Sequence, residues 1–312
     1  MKRFLTKVLL LIIAVLIALS LALFLIPNKR IPDNSLFASI DKHQRLSSIQ
    51  ESKVVLVGGS NLPFGIKSPL IEEALGMPVV NMGLHAGLGM NFILSEVEKD
   101  IHKGDIVIVS LEYHHFLSKS MYNGEDVLAA LLFDVNRDCI QYVTPLQWIA
   151  FLPNLCLYSS KKIINISSNK RNDFEDKFTR DSFNSYGDEV AHYGLPSSIT
   201  SGQQPALSKS VYRQSIFRLI EFRKFVESQG ASMFLTACPY PKKQYSLDKD
   251  SINAIVDAVY KAGMHYLINP IDCLYPDSLM FNSFFHLSGE GAEYRTQQLI
   301  KALETECQLN RK

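Results

Sequence analysis

The chain has little of what nucleic-acid, metal or redox proteins show. Its 32 Lys and Arg nearly cancel its 31 Asp and Glu, leaving a formal net charge of +1. No basic stripe or cluster breaks that balance, so the electrostatic footprint of a nucleic-acid partner is missing. The five cysteines, Cys139, Cys156, Cys238, Cys273 and Cys307, are scattered without a C-x-x-C pair. That spacing excludes a zinc knuckle and a dithiol redox motif, and the odd count leaves at least one free thiol. Cys238 and Cys273 fall in strand-like segments and read as small core residues. Neither G-x-G-x-x-G nor G-x-x-x-x-G-K-[ST] occurs, so no phosphate cradle is recognisable. No internal repeat or low-complexity tract is present, and neither a cofactor nor a metal is expected.

What the chain does have begins with one long apolar run. Residues 8–26 are apolar except for Ser20. At helical rise they cover roughly 28 Å, about one hydrocarbon thickness. The run is longer than the core of a secretory signal, and the weak cleavage candidate Ser20-Leu21-Ala22 lies inside it. Residues 1–27 therefore read as an uncleaved transmembrane anchor. Lys2, Arg3 and Lys7 favour a cytoplasmic amino end, which puts the soluble domain on the extracytoplasmic side. Residues 28–51 read as a linker, with Pro27 and Pro32 stopping the helix and Asp33, Asn34 and Ser35 as turn formers. With 47% apolar residues, residues 52–312 can build a substantial core.

That domain is organised around residues 54–65. Val54, Val55, Leu56 and Val57 read as a strand buried on both faces. Gly58, Gly59, Ser60 and Asn61 follow. A serine at the tip of such a strand sits on a sharp turn at the carboxyl edge of the sheet, where open α/β sheets place ligands. The glycines permit positive φ and close approach to the backbone. Ser60 reads as a nucleophile. The plainer alternative is a strand-to-helix turn with Ser60 or Asn61 as a helix cap.

Alternation continues from there. The spacing predicts a helix over 68–75, a strand over 78–82, a glycine-rich loop over 83–89, a helix over 90–101 and a strand over 105–111. That order, with short loops, means a parallel sheet with right-handed crossovers. One rim then carries Ser60, Gly83 with His85, and Glu112 with His114. The pattern breaks over 117–208. Residues 126–133 and 145–158 read as apolar helices. The second holds the only tryptophan, Trp148, and is interrupted by Pro153. It is either a lid or a segment dipping into a membrane interface. Residues 159–182 read as a polar surface loop and 183–192 as an aromatic and polar cluster. The alternation resumes with a helix over 212–229, a strand over 232–238, a helix over 251–262, a strand over 266–268, a loop over 281–289 and a closing helix over 290–307.

A serine needs a base to take its proton, and histidine serves near neutral pH. His286, just before the closing helix, returns to the Ser60 rim in a sheet of this order; the alternative is that it merely caps that helix. Together, Gly58-Gly59-Ser60-Asn61, the loop Asn81-Met82-Gly83, and Asn282 with His286, Leu287 and Gly291 resemble the SGNH/GDSL hydrolase superfamily, and in particular its membrane-anchored bacterial members associated with cell-surface glycan modification. The resemblance covers about residues 52–116 and 211–305, with 117–208 as a variable insertion. It implies a three-layer α/β/α sandwich with a parallel, flavodoxin-like sheet of about five strands. It also implies Ser60 as nucleophile and oxyanion donor, Gly83 as second oxyanion donor and His286 as general base. The implied activity is ester hydrolysis or acyl transfer on an acylated cell-surface glycan or lipid-linked sugar.

Two positions depart from the family pattern. Glu112 follows the third strand where the family has an oxyanion-donating asparagine, and a carboxylate beside a developing oxyanion repels it. Asn282 stands where related sequences keep an aspartate to orient the base. An asparagine can hold the ring yet select the wrong tautomer, a change that cost about 10⁴ in turnover in a serine protease. A non-catalytic, glycan-binding or assembly relative is therefore the rival expectation. Asn61, His85, Glu112, Asp188 and His192 are the candidate pocket residues. His85 either lines the pocket or is an ordinary loop histidine. The 183–192 cluster either forms a substrate wall or packs on itself.

Overall fold

The computed structural model describes residues 1–26, 34–165, 178–199 and 206–309. Pro27, Pro32 and Asp33, and positions 166–177 of the polar loop, lie outside the described residues. Helix α1 (Lys2–Leu25) is long and apolar enough to cross a membrane. Residues 38–48, inside the stretch read as a linker, instead form α2 (Ala38–Ser48). Ala38, Lys42 and Leu46 recur every four residues and are all buried. The sequence hides this stripe because its middle member is a lysine. Lys42 Nζ donates to Asn81 O at 2.7 Å and to Gly187 O, and burial pushes its pKa down to about 7.

The domain then runs β1 (Val54–Gly58), α3 (Ser68–Leu75), β2 (Val79–Asn81), α4 (Met90–Ser95) and β3 (Ile106–Ser110). Helices α5 (His114–Leu117), α6 (Lys119–Asn123), α7 (Asp126–Ala130) and α8 (Pro145–Asn165) follow. The chain closes with α9 (Arg213–Ser228), β4 (Ser232–Thr236), β5 (Tyr240–Pro241), α10 (Lys242–Lys261), β6 (Tyr266–Ile268), β7 (Leu274–Tyr275) and α11 (Gly289–Leu309).

Five strands form one sheet in the order β2-β1-β3-β4-β6, and every pair in it is parallel. All five residues of β1 are buried, as a strand covered on both faces requires. Helix α4 contacts β1, α9 contacts β4, and the two helices touch; α3 contacts β2 and α11 contacts both β6 and α3. From β1 the chain turns to one side for β2 and to the other for β3. The carboxyl ends of β1 and β3, where Gly58 pairs with Ser110, therefore flank the crevice at which the strand order reverses.

Beyond α2, several elements differ from the sequence expectation: α4 ends at Ser95 and β4 at Thr236, short of 101 and 238, and α5 and α6 were not expected. Helix α10 begins at Lys242, not 251. Its first turns bury Gln244 and Asp248, joined to each other and to the Tyr240 hydroxyl, so the inner face there is polar and shows no apolar period. Helix α8 continues through Pro153 to Asn165; the proline lies on the exposed side. The two-residue strands β5 and β7 form a separate parallel pair, too short to leave a pattern.

Candidate active site at the carboxyl edge of the sheet

The turn after β1 is held from below. Asn61, fully buried, uses every polar group it has. Its N–H donates to Glu112 Oε1 at 3.1 Å, and its side-chain nitrogen donates to Ser110 O at 2.9 Å. Its Oδ1 accepts from the Ser110 hydroxyl and from Arg295, and its carbonyl accepts from Arg295 Nη1 at 2.8 Å. Asn61 is thus a latch beneath the turn and does not line a surface. Arg295, on α11 and 2% exposed, also reaches Ser110 Oγ and Ala237 O, tying the ends of three strands together.

The glycines serve close approach; Gly58, Gly59 and Gly83 all lack positive φ. A Cβ on Gly59 would lie 2.3 Å and 2.4 Å from the carboxylate oxygens of Glu112. A Cβ on Gly83 would lie 2.7 Å from Gly59 O and 2.6 Å from Leu62 Cβ, so the second rim loop is pressed against the first. Glu112 is accordingly turned inward, under the serine turn. Its Oε2 lies 3.3 Å from His115 Nδ1, and the other ring nitrogen of His115 meets Ala86 O at 2.9 Å.

Above this base sits Ser60, half-buried, its carbonyl accepting from Phe64 N–H at 3.2 Å. The ring of Phe64 stacks on the imidazole of His286, centroids 4.2 Å apart and planes 8° from parallel. Leu287 N–H donates to Phe64 O at 2.9 Å. The loop before α11 therefore packs directly on the serine turn, although 226 residues separate Ser60 from His286. The same loop reaches the third rim segment, where Phe285 meets His114 at 5.5 Å and Tyr113 at 6.4 Å.

Asn282, exposed, places Oδ1 2.7 Å from His286 Nδ1. An amide oxygen only accepts, so Nδ1 carries the proton and Nε2 keeps its lone pair. The imidazole face against Phe64 is desolvated, and burial, then the neighbouring rings of His192 and His85, push the His286 pKa down to about 3. The ring is neutral at ordinary pH.

The remaining candidates divide. His85 is exposed, and its Nδ1 accepts from Gly87 N–H at 2.9 Å, so it caps a short turn beside the rim. Gly83 N–H donates to Asn81 Oδ1 at 3.1 Å. Asp188 stands behind that contact. It accepts from Asn81 Nδ2 and from the hydroxyl and N–H of Ser68, which steadies the second loop and caps α3. His192 is buried with Glu189, whose carboxylate it contacts through Nδ1. Its ring lies 5.0 Å from Phe64 and 5.1 Å from Phe281, and Glu189 N–H donates to Pro63 O. The 183–192 cluster thus packs against the serine turn.

Sequence reading missed Phe64, Arg295 and Glu189. Each acts through a contact between distant segments, and none stands in a local motif. The chain matches no protein-family model and no curated protein.

Proposed function

We propose that the protein is a serine-dependent ester hydrolase or acyltransferase of SGNH type, anchored by α1 with its domain on the extracytoplasmic side. The sheet order and the pairing of α3 with α11 and of α4 with α9 support a three-layer, flavodoxin-like sandwich. The observation that carries the reading is His286. It is neutral, oriented by Asn282 through the nitrogen away from its lone pair, and stacked on the turn that bears Ser60.

In this mechanism Ser60 Oγ attacks an ester carbonyl as its proton passes to His286 Nε2. The backbone N–H groups of Ser60 and Gly83 receive the oxyanion, the latter exchanging its contact with Asn81 Oδ1. Collapse expels the alcohol with the proton from His286, and the acyl-serine passes to water or to a second hydroxyl. The inward turn of Glu112 keeps its carboxylate on Asn61 N–H and beside His115. The substrate class is an acylated surface glycan or a lipid-linked sugar.

Asn282 in place of a carboxylate favours a second reading, a glycan-binding relative without turnover. A fluorophosphonate probe on the full-length protein separates the two. Labelling that disappears in Ser60→Ala means an active nucleophile. Folded protein that takes no label means a binding module.

A further inference from the structure

Helix α8 is apolar on its outward side as well as on the side that packs on the domain. Its inward side buries Phe151, Leu155 and Tyr158 in the core, with Gln147, Asn154 and Lys162 bonded beside them. Gln147 Nε2 donates to Asn123 O and Asn154 Nδ2 to Gly124 O, each at 2.8 Å, and the Tyr158 hydroxyl donates to Asp134. Its outward side carries Leu146, Ile149, Leu152, Leu157 and Ile164, which are 79%, 73%, 52%, 50% and 70% exposed. These recur at steps of three, five and seven residues, which keep them on one side of the helix, and Lys161 is the only charged residue exposed between 145 and 164. A helix facing water has a polar outward side, and a continuous apolar stripe of this kind marks a contact surface.

The position of α1 says what covers it. Along α1 only Ala22 and Leu23 are buried, and α1 meets α8. Cations from the domain take the last carbonyls of α1, groups that a helix end leaves without partners. Lys162 Nζ donates to Leu23 O at 2.9 Å and to Asp134 at 2.8 Å, and Arg137 donates to Phe24 O at 3.4 Å. Counted from the charges at Lys2, Arg3 and Lys7, this end of α1 lies about one hydrocarbon thickness away. Helix α8 therefore joins α1 at the level where a span leaves the bilayer.

We infer that α8 lies in the membrane interface with its Leu146-to-Ile164 stripe in lipid, so that the domain is docked on the bilayer by two elements. This rests on reading α1 as a membrane span. It also bears on substrate delivery. Helix α7 packs under α8 and against residues 86–88, where Glu125 N–H donates to Gly87 O at 2.8 Å. The loop bearing Gly83 and His85 is thus one helix removed from the lipid-facing surface, a placement suited to an acyl donor or acceptor held in the membrane.

The test uses full-length protein with its native cysteines replaced and a single NBD-labelled cysteine at Leu11, Ile149, Ile164 or Tyr294, reconstituted in phosphatidylcholine vesicles. Emission at 149 and 164 is expected to be lost to shallow doxyl-lipids and retained against aqueous iodide, with the reverse at exposed Tyr294. Iodide quenching at 149 and 164 overturns the inference. So does protection from both quenchers accompanied by cross-links between 149 and 149, which would put a second copy on this face. Leu11 reports the span separately: iodide quenching there removes the anchor reading, while 149 and 164 still report on α8.

Discussion

Arg295 holds both oxygens of Asn61, the carbonyl through Nη1 at 2.8 Å and Oδ1 through Nη2 at 3.1 Å. The two residues are 234 positions apart, and through them α11 supports the turn on which Ser60 stands. Removing the guanidinium strands buried acceptors and opens a cavity. Arg295→Ala is expected to cost on the order of 3 kcal/mol. Arg295→Lys should recover little of it, because one ammonium cannot reproduce the fork. Thermal or urea unfolding measures this, and an alanine variant as stable as the parent would refute the latch.

Glu112 gives Asn61 N–H its acceptor and lies against the open side of Gly59. Glu112→Gln keeps the acceptor and the shape and should leave the fold within about 1 kcal/mol of the parent, whereas Glu112→Ala strands the amide and should cost about 2–4 kcal/mol. Equal unfolding midpoints for the two variants would show that the carboxylate does not support the turn.

Gly83 is pressed between Gly59 O and Leu62 Cβ. Gly83→Ala must push the two rim loops apart and is expected to cost about 1–3 kcal/mol. Ester turnover should fall further than stability alone explains, since the second oxyanion donor moves with the loop. Full turnover in this variant would remove Gly83 from the site.

Asn282 accepts from His286 Nδ1 but brings no charge to stabilise an imidazolium. Asn282→Asp adds it, and we expect ester turnover to rise roughly tenfold, about 1.4 kcal/mol of barrier. A rate that stays level or drops in well-folded Asn282→Asp protein would count against His286 as the base.

His286 titrates at about 3 in the fold against an ordinary value of 6.5. Above 6.5 neither the folded nor the unfolded state holds its proton. Between the two values only the unfolded chain does, so this group withdraws stability as pH falls through that window. Turnover should correspondingly show no acid limb near 6.5. A limb at that value in the kcat/KM profile, absent from the stability profile, would mean that a different group is the base.

Much of the fold was legible because its cause is local. β1 announces itself by unbroken burial on both faces, and β6 matches the expected span of 266–268. The strand and loop order up to Ser110 follows from period and punctuation. Helix α2 was not legible, because a buried lysine interrupts its stripe, and the first turns of α10 were not, because their inner face is hydrogen-bonded and polar.

The candidate site divides along the same line. Ser60, Gly83 and His286 are marked by residue type at strand ends and before the last helix. Their supports are not, because the stack of Phe64 on His286, the fork of Arg295 on Asn61 and the bond from Glu189 N–H to Pro63 O are made across long stretches of chain.

By itself the sequence determined that an apolar helix precedes an α/β body and that a serine follows its first strand. The tertiary structure alone decided that the His286 loop lies on the Ser60 turn, that Glu112 faces inward, and which apolar residues of α8 stay exposed. The reason is physical: periodicity records which face of an element is apolar, whereas the neighbour that covers a face is set by packing among segments that no local pattern links.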